Sequence, residues 1–329
     1  MRNPACSDVW KVWLYPAAAL ALGAWISPLL YNAGKALAEV SSNKITNAPL
    51  NGLAGVCRGA DFPQFYAAGL VLAAVVLWFP WREWLHARHR AEPDPQSWRL
   101  RFLDGAGLTT RGQPLRQNPQ GLRQAGAGFL WVAGLWLAPA VVWGPVGACL
   151  PHHPHGGLAA AILVTMAGSL GLAAVLEVFF RGVALGVFLN AMRPAAALVM
   201  SALLFALVLM AMPVPGETVA DPEAAGTGFE MLRLAAWRFA AWPGLCGQFA
   251  PLLALGGLLA YARWRTASLW LPGGLHAGWL FAHAMPATSG TQGPVLSATL
   301  TPLAGLLLAG WLTHYLTANP SHHEPPART

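Results

Sequence analysis

The run LAAAILVTMAGSLGLAAVLEVFFRGVALGVFLN, residues 158–190, contains only two charged side chains, Glu177 and Arg181. A stretch of about 20 apolar residues, rising 1.5 Å each, matches a hydrocarbon core roughly 30 Å thick, so this run predicts a membrane-crossing helix. It is too long for one straight crossing; Gly168 and Gly171 offer places to bend. Seven further apolar stretches lie at approximately 12–31, 64–81, 126–150, 195–213, 242–261, 268–285 and 293–316. Of the 329 residues 56% are hydrophobic and 10% charged, against roughly 25% charged in an average soluble domain. The fold class expected is all-α, a polytopic membrane helix bundle of about eight transmembrane helices.

The net charge of +7 invites a nucleic-acid reading, but its distribution excludes one. With a cytoplasmic N-terminus and eight crossings, the inner segments hold Arg2, Lys11, eight Arg between Arg82 and Arg123, Arg193, Arg263, Arg265 and Arg328. The outer segments hold Lys35, Lys44, Arg58, Arg233 and Arg238, and the outer loop 213–230 has four acids and no base. This asymmetry follows the positive-inside rule and predicts a multi-pass plasma-membrane protein with both termini cytoplasmic. Trp10, Trp13, Trp78, Trp81, Trp84, Trp242, Trp264 and Trp270 fall at predicted boundaries, where an indole keeps its ring in lipid and its N–H in water. Ala36-Leu37-Ala38 offers a small-residue cleavage site, but the preceding apolar core is long and Lys35 adjoins it, which argues against a signal peptide.

Along the chain, residues 1–81 carry two helices and an outer loop, 82–123 form a basic cytoplasmic loop, and 124–154 carry the third helix. Residues 155–285 form a membrane core, 286–316 the last helix, and 317–329 a disordered tail. The basic loop lacks the apolar residues for a core of its own and is expected on the anionic inner leaflet. Cys57, Cys149 and Cys246 fall near the outer side, so a disulfide such as Cys57–Cys149 is open in an oxidising compartment. No CxxC spacing occurs, and the clusters His152-His153-Pro154-His155 and His322-His323 lack the acidic or Cys partners of a closed metal site. No cofactor is expected; a divalent metal is left open.

The notable polar groups left at membrane depth are Glu177, Arg181, His276 and His283, with Thr165, Ser169, Asn190 and Ser201 as lesser candidates. A charge at the bilayer centre costs about 2.5–3.5 kcal/mol on insertion scales and normally faces the bundle interior with a partner. Glu177 and Arg181 stand at i and i+4, on one helical face and in the favourable order. The pair could fix helix register or form part of a site. His283 lies seven residues beyond His276, about 10.5 Å along a helix, too far for the two to share one metal easily.

The segment VLEVFFRGVALGVF resembles the first signature of the CPBP intramembrane protease family, also called the Abi or CAAX protease family, in which EExxxR is followed by Gly. Residues 201–209 (SALLFALVL) resemble its second signature, FxxxH. SLWLPGGLHAGWLF (268–281) resembles the third, HxxxN or HxxxD. The resemblance covers roughly residues 155–285. It implies a membrane-embedded peptidase core in which Glu177, Arg181, Phe205 and His276 occupy family positions. Three other family positions are Leu here: Leu176 for the first Glu, which the family uses as base, Leu209 for the His, and Leu280 for the Asn or Asp.

Amide hydrolysis needs a base within reach of a water and donors aimed at the developing oxyanion. Leucine supplies neither, and each lost oxyanion donor costs about 10²–10³ in rate. A catalytically degenerate protein that binds a membrane peptide or partner protein is therefore the first expectation. An active endopeptidase built on Glu177 and His276, with His283 as a further candidate, is the alternative. A transporter would need a continuous polar path that these spans do not offer. Expected partners are membrane lipid and a membrane-associated peptide or protein.

Overall fold

The computed structural model describes residues 4–44, 48–89, 120–143, 158–214, 217–241, 245–266, 268–287 and 310. These residues form helices α1 (Pro4–Lys44), α2 (Ala48–Gly59), α3 (Phe62–His89), α4 (Gly121–Trp143), α5 (Leu158–Glu177), α6 (Leu185–Ala191), α7 (Pro194–Met210), α8 (Thr227–Ala240), α9 (Ala250–Thr266) and α10 (Trp270–Ala287). Two π-helical turns, Val178–Ala184 and Leu245–Phe249, lead into α6 and α9. No strand occurs among the described residues. Among the described residues three helical stretches are long and apolar enough to cross a membrane: Asp8–Ser41, Phe62–Leu85 and Ile162–Ala191. The stretches expected at 195–213, 242–261 and 268–285 form shorter helices, and nearly all of 293–316 lies outside the described residues. So do residues 90–119 of the basic loop, the histidines at 152–155 and 322–323, Cys149 and Trp242, as does the side chain of Cys246. Cys57 is a free thiol.

The chain forms two compact units, residues 1–94 with 206–249, and residues 95–205 with 250–329. In the first, α1 and α3 pack backbone to backbone over small residues. A Cβ added at Gly23 would lie 2.7 Å from the Leu70 Cα, and one at Gly69 would lie 2.8 Å from the Gly23 carbonyl oxygen. Small residues at such crossings let dispersion and backbone contacts hold helices together where lipid gives no hydrophobic drive. Ala24, Phe62, Tyr66, Leu70 and Met231 of α8 make the core. In the segment 213–230, expected as an outer loop, Val219 packs on that core and α8 begins at Thr227.

In the second unit, α10 packs on α4 through Gly274 and Gly278. A Cβ at Gly274 would collide with the Ala125 carbonyl, and one at Gly278 would lie 2.6 Å from that of Phe129. At 100° per residue, His276 points about 200° round the helix from Gly274. The glycine face on α4 therefore aims His276 the opposite way, into the unit, where it is wholly buried.

The irregularity in the long run falls at the π-turn and not at Gly168 or Gly171, which lie in regular α5 with open space beside them. A π-turn inserts a residue into the helical phase and is frequent at functional sites. Here it starts one residue after Glu177 and contains Arg181.

Candidate functional site

Glu177 closes α5 and is 2% exposed; Arg181 is 1% exposed and His276 0%. Glu177 Oε1 accepts from two sides, 3.0 Å from Arg181 Nη1 and 2.7 Å from His276 Nδ1. Arg181 Nη2 donates to the Gly256 carbonyl at 3.2 Å. A Cβ at Gly256 would lie 3.0 Å from both the Ala202 Cα and Phe205 Cδ1, so glycine lets α9 approach α7 closely. That close approach brings the Gly256 carbonyl within reach of Arg181.

Phe205 joins these groups from the apolar side. Its ring centroid lies 4.2 Å from the Arg181 guanidinium carbon and 5.4 Å from the His276 ring, which meets it edge-on. Phe180 packs edge-on against it at 5.2 Å. A desolvated guanidinium over an aromatic face gains about 2 kcal/mol, which offsets part of the penalty for burying Arg181.

The charges balance if the imidazole is neutral, because Arg181 and Glu177 then cancel. The Nδ1–H tautomer donates to Oε1, leaving Nε2 as a lone-pair acceptor. Five buried polar atoms of this unit have no hydrogen-bond partner among the described residues: Glu177 Oε2, Arg181 Nε, His276 Nε2, Ser201 Oγ and, on α9, Arg263 Nε. Ser201 stands one turn before Phe205 on α7, on the same helical face. Buried polar groups are rarely left unpaired, since each costs about 1–3 kcal/mol unsatisfied.

The structure thus brings Glu177, Arg181, Phe205 and His276 together and leaves His283 out. His283 is exposed; its ring stacks on Trp279 at 4.2 Å, and its Nδ1 donates to the Trp279 carbonyl at 2.9 Å. Thr165 is partly buried and Asn190 exposed. Leu176 and Leu280 are partly buried next to Glu177 and one turn beyond His276, and Leu209 stands one turn beyond Phe205. Among the described residues no three His, Cys, Asp or Glu side chains gather to hold a metal. Gly256 is the member that sequence reasoning missed; the only signal was the Gly256-Gly257 pair inside an apolar stretch.

Residues 158–282 match the model of the type II CAAX prenyl endopeptidase Rce1-like family. No curated protein and no solved structure matches the chain. The match spans the π-turn, Phe205 and His276, the same three segments whose signatures stand in order in the sequence. Over residues 158–282, under half of the chain, the sequence is similar to the Rce1-like, CAAX-protease kind of the CPBP family.

Proposed function

We propose that this protein is a multi-pass plasma-membrane protein of about eight crossings, with both termini cytoplasmic, whose CAAX-protease-like core binds and does not cleave. Its ligand is a membrane-associated peptide or a partner membrane protein. The observation carrying this reading is the double engagement of Glu177 Oε1. Arg181 and His276 hold the carboxylate in a buried, charge-balanced cluster, while Leu176, Leu209 and Leu280 stand where the family places its base and polar partners. A carboxylate fixed by two donors orients helices; it is poorly placed to take a proton from water.

One observation favours the alternative. His276 Nε2 and Glu177 Oε2 are buried acceptors without partners. A water between them would meet a base whose other nitrogen is oriented by a carboxylate, the arrangement that supports general-base catalysis. Peptide hydrolysis would then proceed by attack of that water on the carbonyl carbon. The C–N bond would break, and the proton taken by His276 would pass to the leaving amine.

A peptidase assay separates the two. The purified protein in nanodiscs is incubated with a peptide library including prenylated C-terminal peptides, and products are read by mass spectrometry. Glu177→Gln and His276→Ala serve as controls, with folding checked by size exclusion. No cleavage above the variants is expected. Cleavage by the parent that disappears in both variants would overturn the binding reading and establish the peptidase.

A further inference from the structure

We propose that α8 lies along the hydrocarbon–headgroup boundary of one leaflet, with its outward stripe buried in lipid. The helix has fourteen residues, about 21 Å at 1.5 Å each, too short for a core roughly 30 Å thick. Its two faces differ sharply. Thr227, Gly228, Met231 and Ala235 are buried toward the unit. Phe229, Arg233, Ala236, Trp237 and Ala240, at helical spacing i, i+4, i+7, i+8 and i+11, form an exposed stripe. Phe229 is 47% and Trp237 63% exposed, and Phe239 on the stripe's flank is 41% exposed.

Depth identifies the occupant. Met231 packs against Phe62, Tyr66 and Leu70 of α3. Phe62 begins the apolar crossing, so Tyr66 and Leu70 stand about 6 and 12 Å inside its end by helical rise. Interfacial helices sit about 5–10 Å into the headgroup and acyl boundary. On the same buried face, Gly228 touches the backbone of Ala24, within the Asp8–Ser41 crossing.

A segment at that depth needs its inward polar groups held by protein. Arg238 donates to the Met210 and Met212 carbonyls at 3.1 and 2.9 Å and pairs with Glu217 at 3.3 Å. Thr227 Oγ1 donates to the Asp221 carbonyl. The one charge on the stripe, Arg233, is 61% exposed at its side chain and pairs with Glu230 at 3.4 Å. Its long apolar stem can lie along lipid while the guanidinium reaches headgroups. Trp237 suits the same boundary. The crossings of this unit present further exposed apolar side chains, among them Trp25, Leu29, Val71 and Val75.

The test places nitroxide spin labels at Ala236→Cys and, separately, Trp237→Cys. The background has Cys6, Cys57, Cys149 and Cys246 changed to Ala, and the protein is in nanodiscs. Collision with oxygen, which partitions into lipid, is compared with collision with a water-soluble nickel chelate. Val75→Cys serves as the hydrocarbon reference and Ala225→Cys, in the exposed loop, as the aqueous one. Both α8 labels should be oxygen-accessible and collide with nickel several-fold less than the label at 225. Nickel accessibility equal to that at 225 would put the stripe in water. Shielding from both reagents would mean that protein, from this chain or another copy, covers it. Either result overturns the proposal.

Discussion

Among the described residues each unit buries one ion pair, and the two pairs are built to different standards. In the first unit Lys11 Nζ lies 2.5 Å from Asp8 Oδ1 and 4.8 Å from the centre of the Trp84 ring, and Trp81 Nε1–H donates to the Lys11 carbonyl at 2.9 Å. No side-chain polar atom of Asp8 or Lys11 is left buried without a partner. In the second unit Glu177, Arg181 and His276 share one carboxylate oxygen and each keeps a buried polar atom unpaired. The first pair is closed; the second is open. A closed pair lowers the penalty of burying charge and does nothing more. An open one leaves acceptors and a donor toward which a water or a polar ligand group is drawn. Burial alone does not separate a structural pair from a candidate site, because all five residues are 2% exposed or less.

The contrast can be broken in three steps, largest first. Arg181→Met strands a buried carboxylate and should destabilise the protein by about 3–5 kcal/mol, read by SDS titration of the unfolding equilibrium in mixed micelles. Loss of under about 1 kcal/mol would mean that water reaches Glu177 and that the cluster is not desolvated. Next, the double change Glu177→Leu with Arg181→Leu removes both charges but leaves His276 Nδ1 without its acceptor. It should cost about 1–3 kcal/mol, measured the same way. The matching double change in the first unit, Asp8→Leu with Lys11→Met, removes a pair whose own side-chain atoms include no unpaired buried polar atom. It should be close to neutral or mildly stabilising, as replacements of closed buried pairs by apolar residues are. If the two double variants lost equal stability, the distinction between closed and open pairs would fail.

Much of this was legible in the sequence. Glu177, Arg181 and His276 stood out because charge and imidazole at membrane depth need a reason, and in the structure the three meet at one oxygen. The i, i+4 spacing also survived, although the turn that holds it is π-helical. What stayed hidden has a common cause. α8 is amphipathic and short, so a window tuned to apolar runs passes over it, and its first turn reads as the end of an acidic loop. His283 shared a helical face with His276 on paper. Its ring instead folds onto Trp279 and its own helix's backbone, an alternative partner that spacing cannot reveal.

Composition and period alone determined that this chain is helical and lives in a membrane. Hydrocarbon admits no unpaired backbone, and a long apolar run has only the helix in which to pair every N–H and C=O within itself. They also singled out the residues too polar for lipid. Which of those residues meet was decided in three dimensions, by glycines. Gly274 and Gly278 press α10 onto α4 and so turn His276 inward, while Gly256 brings a backbone carbonyl to Arg181. A glycine reads the same in every sequence, but its effect depends on the helix that comes to lie against it.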